Sequence, residues 1–268
     1  MNGALEISYP ALAVVFVLLA FPVILSLVFR LKLIGQIAVS IVRMTAQLLL
    51  VGLFLKYIFD LNNPFLNAGW FLVMIVTATG TVIRKSDLRV ATLIWPALAS
   101  FILVAGGILL FFNAFVVRVD YLFDAKYFIA LGGMLLGNSL RGNIVGLTAF
   151  YKGIRRNEAR YHFALASGAR HIEAVVPYIR ESLKQAFAPI MATMATTGIV
   201  SLPGMMTGQI IGGSSPMTAV KYQIAIMVAI FTAITMSTAL TIFLTLKLAF
   251  TDRGTLKKEI FRGGSPRS

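Results

Sequence analysis

The sequence predicts an all-α polytopic membrane protein with about seven transmembrane helices. Three observations carry that prediction. Of the 268 residues, 58% are hydrophobic and only 13% charged, whereas a soluble chain has about a quarter of its residues charged. Several apolar runs reach the roughly 20 residues that cross a bilayer as a helix. Most of the basic residues fall between those runs.

The first span is expected at about residues 10–29. No basic segment precedes it, and the run from Pro10 to Phe29 exceeds a signal-peptide core, so it reads as an uncleaved span. Further spans are expected at about 37–59, 66–83, 90–116, 125–150, 186–211 and 219–247. The third has the weakest apolar signal, with Thr77, Thr79, Gly80 and Thr81 inside it. The fourth opens near Trp95-Pro96, where proline is tolerated in a first turn. The sixth meets Pro203-Gly204 while still apolar, carries Met205-Met206 and dissolves into Gly212-Gly213-Ser214-Ser215-Pro216. Proline and glycine oppose a helix interior, and in lipid such a break survives only against protein or a water-filled cavity. A broken helix at a transport path is therefore expected, with the break in the outer half of the span.

Connections on one side of the expected bilayer, with the C-terminal segment, hold 18 of the 24 Lys and Arg residues. That side is expected to be cytoplasmic, with the N-terminus outside and the C-terminus inside. The net charge of +14 is then accounted for by topology and anionic headgroups, not by nucleic acid. The whole of 1–268 reads as one transmembrane domain. Residues 151–185 form its cytoplasmic segment, and 251–268, rich in Gly, Ser and Lys, are expected to be a flexible tail. Cysteine is absent, which removes disulfides and thiolate sites.

No Asp or Glu lies deep in a span, and His162 and His171 both fall in the cytoplasmic segment. That argues against proton coupling and against an intramembrane metallo- or aspartyl protease. No G-x-x-x-x-G-K-[ST] motif is present to cradle nucleotide phosphates. Arg43, with Gln47 one turn on, and Arg141 are candidate buried basic residues, either lining a path or anchored to carbonyls and headgroups. Gly133, Gly137 and Arg141 share a stripe with Asn138 beside it; close helix packing is the alternative for the glycines. Thr193, Thr197 and Ser201 recur at steps of four on span six, where hydroxyls either line a path or bond back to the preceding turn. Met205 and Met206 are adaptable packing or soft ligands; the metal ligands, if any, are not fixed by the sequence. Residues 158–189 read as two amphipathic helices, punctuated by Gly168 and leading into span six. They suit either an interfacial position or docking of a soluble motor.

Ala164-Leu165-Ala166-Ser167-Gly168-Ala169, followed by Pro177, resembles the loop by which ABC permeases dock on their ATPase, without its acidic-alanine-alanine opening. Stronger matches are Val51-Gly52, Lys56-Tyr57-Ile58-Phe59, Gly133-Met134 with Gly137-Asn138, Gly198 to Met206, and Lys221-Tyr222-Gln223-Ile224. In that order they resemble the seven-span permeases of bacterial iron-export ABC transporters, related to plant aluminium-sensitivity proteins. The resemblance implies a non-enzymatic, dimeric inner-membrane permease exporting iron or a related metal. A separate cytoplasmic ATPase would bind ATP and Mg, and this chain would need no cofactor. Ala164, Leu165, Ser167, Gly168 and Ala169 would then couple to the ATPase. An ATP-independent channel or secondary transporter is the alternative.

Overall fold

The computed structural model describes residues 5–251 and 254–262, and among them every long element is helical. Five helices are long and apolar enough to cross a membrane: α1 (Tyr9–Val28), α2 (Ile34–Leu61), α3 (Pro64–Lys85), α4 (Val90–Val117) and, last in the chain, Pro216–Ala249. Between them lie α5 (Ala125–Arg156), α6 (Glu158–Ala166), α7 (His171–Thr196) and α8 (Gly204–Ile211), making Pro216–Ala249 α9.

The ends of these helices are written locally. Asn63 accepts hydrogen bonds from the Phe65 and Leu66 amides, with Pro64 opening α3. Asp124 caps α5, and Ser215 with Pro216 opens α9. Such caps satisfy amides that the first helical turn cannot. At the same end, Asn62 in the left-handed region (φ 40°) accepts from the Ala125 amide at 2.9 Å, and the buried Asn67 donates to the Phe123 carbonyl at 2.7 Å. The α2 C-terminus is thereby tied to the start of α5.

Helix α5 is the centre of the bundle, packed against α3, α7 and α9. In lipid, helices associate through close packing and hydrogen bonds, because lipid tails are as apolar as leucine. The α5–α9 seam uses both. A Cβ at Gly142 would meet Ile234 and one at Gly146 would overlap the Thr238 methyl, so glycine is what admits α9 this closely. Beside them Asn143 donates to Ser237 Oγ at 2.8 Å and Tyr151 to Thr245 Oγ1 at 2.7 Å. Thr241 donates to Ser100 Oγ of α4 at 2.9 Å, which extends the same buried polar row. By contrast, the most apolar stretches of α1 and α2 are almost wholly uncovered by the rest of the chain.

The second amphipathic run continues into span six without a break: α7 is one 26-residue helix that passes through Pro177 and Pro189. The tail is less free than its composition implies. Residues 254–262 fold back, with the Arg89 amide donating to the Ile260 carbonyl at 2.7 Å and the Arg262 amide to the Asp87 carbonyl at 2.8 Å. Ile260 and Phe261 are buried, and the Arg155 guanidinium lies 4.8 Å over the Phe261 ring. These apolar anchors in a polar segment are what composition hides. Residues 252–253 and 263–268 of the expected tail lie outside the described residues.

The docked tail meets the basic end of the bundle through two titratable groups. Tyr161, its hydroxyl pushed up to about 12 by burial and by Tyr178, donates to the Gly254 carbonyl at 2.6 Å. His171 stacks edge-on against Phe250 at 4.7 Å, and burial lowers its pKa. A neutral histidine is thus favoured in the docked state. The stability it contributes is present above the free-imidazole value of about 6.5 and declines as pH falls below it.

Two tests follow from this packing. Gly146→Ala should lose about 1–3 kcal/mol in chemical unfolding of the detergent-purified protein by overpacking the seam. Adding Thr238→Ser, which removes the obstructing methyl, should recover most of that loss; no recovery would contradict the close approach. Limited proteolysis of the tail should accelerate between pH 7 and pH 5, and His171→Phe should flatten that dependence.

Candidate functional site

The break expected on span six is present but displaced. Thr197 is extended (φ −63°, ψ 132°), Gly198 takes φ 89°, and the Gly198 amide donates to the Ser201 carbonyl at 2.9 Å. Pro203 is extended again (φ −62°, ψ 146°) and Gly204 is the first residue of α8. The interruption is therefore residues 197–203, and Pro203-Gly204 restarts the helix instead of hinging it. The physics is simple: proline suits a helix start, while the left-handed turn at 198 favours glycine.

Thr193, Thr197 and Ser201 do not form one helical stripe, because the helix ends between them. Thr193 and Thr197 donate back to the Pro189 and Thr193 carbonyls at 3.0 and 2.7 Å. Ser201 lies across the turn, bridged to Thr197. Met205 and Met206 are half-buried, Met205 against the core. The surroundings of the break are bare: residues 191–196 are exposed on every side, with Ile199 90% and Val200 77% exposed. In a bilayer, interrupted backbone must face protein or water, and among the described residues little packs around this one.

Along α5 an uncovered stripe faces away from the bundle: half-buried Gly133, then Gly137, Arg141 and Val145 exposed. Asn138 beside it is half-buried and donates back to the Met134 carbonyl at 2.8 Å. Arg141, near the middle of this 32-residue helix, was expected to be buried, as was Arg43 on α2; both are exposed in the single chain. Each stands on a helix face against which, among the described residues, no other element packs.

At the basic end, α6 and the Gly168 turn (φ 92°) fold beneath α7. Of the expected coupling residues, Ala164, Leu165 and Ala169 are half-buried, while Ser167 and Gly168 are exposed. The sequence reading missed Phe163 as a site residue; its ring is 73% exposed on α6, and an aromatic on a short amphipathic helix was the available signal. Between α5 and the α6–α7 unit opens a cleft of about 1190 Å³, with Lys152 and Arg156 on one wall and Pro177 and Tyr178 on the other. Lys152 reaches out to Asp87 and, through its hydrogen bond and charge, holds that carboxyl below its usual range. Among the described residues, no three His, Asp or Glu side chains gather as a metal site.

Moving the break from Pro203-Gly204 to residues 197–203 can be checked by stability. Gly198→Ala should destabilise the purified protein by about 1–2 kcal/mol, since alanine resists a left-handed φ. Gly204→Ala has open space and a helical backbone, so it should be neutral or mildly stabilising. The reverse order would restore the hinge to Pro203-Gly204.

Comparison with known proteins agrees with this architecture over nearly its full length. Residues 9–250 match the family described as Uncharacterised protein family (UPF0014). The chain is 31% identical over 255 residues to Protein ALUMINUM SENSITIVE 3 of Arabidopsis thaliana, covering 94% of this chain and 90% of that protein. It is 29% identical over 250 residues to the Probable iron export permease protein FetB of Escherichia coli (strain K12), covering 92% and 94%. The UPF0014 membrane protein YjkA of Bacillus subtilis (strain 168) is 28% identical over 252 residues, covering 92% and 97%. No solved structure matches. With its apolar helices and a match over residues 9–250, the chain belongs to the UPF0014 family of membrane proteins.

Proposed function

We propose that the chain is the permease subunit of an ATP-driven exporter in the inner membrane. It acts as a homodimer and is powered by a separate cytoplasmic ATPase that binds ATP and Mg. The cargo is iron or a related metal, free or complexed. The observation that carries this reading is mechanical: α6 and the Gly168 turn lead straight into α7, whose far end is the interruption at 197–203. A push on α6 is therefore delivered to the break through one 26-residue helix.

Three further points support it. The basic end suits the cytoplasmic side, where a soluble partner is available. Phe163, exposed beside the turn, is the kind of aromatic anchor that carries binding energy at interfaces. The uncovered break and the exposed stripe carrying Arg141 suit burial against a second copy around a water-filled path. The similarity to the protein named as a probable iron export permease supplies the cargo class.

The test is co-expression with a candidate cytoplasmic ABC ATPase subunit, followed by reconstitution. Coupled ATP hydrolysis is expected, with a Phe163→Asp variant reducing it more than tenfold while helix content and membrane insertion stay unchanged. Metal flux through vesicles holding this chain alone, without ATP or partner, would instead establish an ATP-independent channel or carrier.

A further inference from the structure

The cleft at the basic end has a charge pattern that a bare metal ion does not fit. Lys85, Lys152, Arg156 and Arg160 line it, against two carboxylates, Glu173 and Glu181. Both carboxylates are engaged in their own helix: Glu173 accepts from the Arg170 amide at 2.8 Å and Glu181 from Gln185 Nε2 at 2.8 Å. Among the described residues, Lys152 is the one of the four cations with an ion pair, to Asp87 outside the cleft lining. Arg156 and Arg160 form none among the described residues. Thr148 stands on the same wall, and its enclosed hydroxyl has no partner among the described residues.

The positive wall continues inward. Arg156, Lys152, Thr148, Val145 and Arg141 follow one another at steps of three and four, so they share a face of α5. Arg141 lies about 16 Å further along the helix than Lys152, from the rise per residue. No carboxylate or imidazole stands on this stripe to offset it. A divalent cation entering here would be repelled at the mouth and again at Arg141. Guanidinium groups instead bind phosphate and carboxylate oxygens through paired, charge-assisted hydrogen bonds.

We infer that the cleft between α5 and the α6–α7 unit, continued by Arg141, is an anion-binding site for a phosphate- or carboxylate-bearing molecule. Resting on the permease reading, this means that the cargo travels as an anion, including a metal held in an anionic complex. A basic cleft at this depth also suits an anionic lipid headgroup, which presents the same phosphate oxygens, so the test separates the two sources.

The full chain is placed in phosphatidylcholine nanodiscs, and binding of inorganic pyrophosphate and of Mn²⁺ alone is measured by equilibrium dialysis. Saturable pyrophosphate binding that weakens steeply with salt is expected, with little retention of Mn²⁺. The Arg156→Gln/Arg160→Gln double variant should bind pyrophosphate at least tenfold more weakly, and Arg156→Lys/Arg160→Lys should retain most of it. If a soluble anion is the natural ligand, pyrophosphate still binds in nanodiscs containing phosphatidylglycerol. If the headgroup is the ligand, phosphatidylglycerol displaces it and co-purifies with the chain but not with the double variant. Pyrophosphate binding unchanged in the folded double variant, or Mn²⁺ bound alone with comparable affinity, would overturn the inference. Because the assay omits the ATPase, failure of the ATP-driven reading would leave this result standing, and failure here would leave that reading untouched.

Discussion

The close approach of α9 to α5 at Gly142 and Gly146 is the constraint on which the remaining structure depends. Within a bilayer the hydrophobic effect does not press one helix on another, so contact must come from shape and hydrogen bonding. The two glycines supply the shape, and the Asn143–Ser237 and Tyr151–Thr245 bonds supply direction and register. With α9 locked there, α4 joins through Ser100, and α7 packs against both α5 and α9. The outward stripe of α5 is then fixed as well, because the seam determines which face is left over.

That arrangement divides the molecule into a tied half and an untied one. α5, α9 and the adjoining parts of α3, α4 and α7 form the core, whereas α1, most of α2, the end of α7 and the interruption at 197–203 have little of the chain around them. A tightly packed seam beside a loosely covered break suits the proposed exporter. Movement at the basic end would pass along α7, whose Ala186 stands beside the seam at Gly146.

Much of the fold was legible because membrane helices are written in composition. The runs around α1 to α4 and α9 stand out by apolar content alone, and caps such as Asn63-Pro64 and Ser215-Pro216 mark the starts of α3 and α9. What the sequence misplaced were features decided by tertiary context. Pro177 and Pro189 sit inside a continuous α7, while Gly198, a glycine in an apolar run, carries the turn expected at Pro203-Gly204. Arg43 and Arg141 looked buried because their neighbours are apolar, yet their helix faces are left exposed by the described residues. The tail looked flexible because Ile260 and Phe261 are two apolar residues in a polar segment, and only the fold shows the surface they meet.

In the proposed assembly of two copies, α7 carries movement from the basic end to the interruption. The chain contains no cysteine, so Ile199→Cys places one spin label per copy at the exposed turn. Double electron–electron resonance on the reconstituted complex, with and without ATP, measures the separation of the two labels. A defined pair distance is expected, shifting by several ångströms on ATP binding, roughly one helical turn's rise at most. A single distance unmoved by nucleotide, or no pair at all, would contradict it.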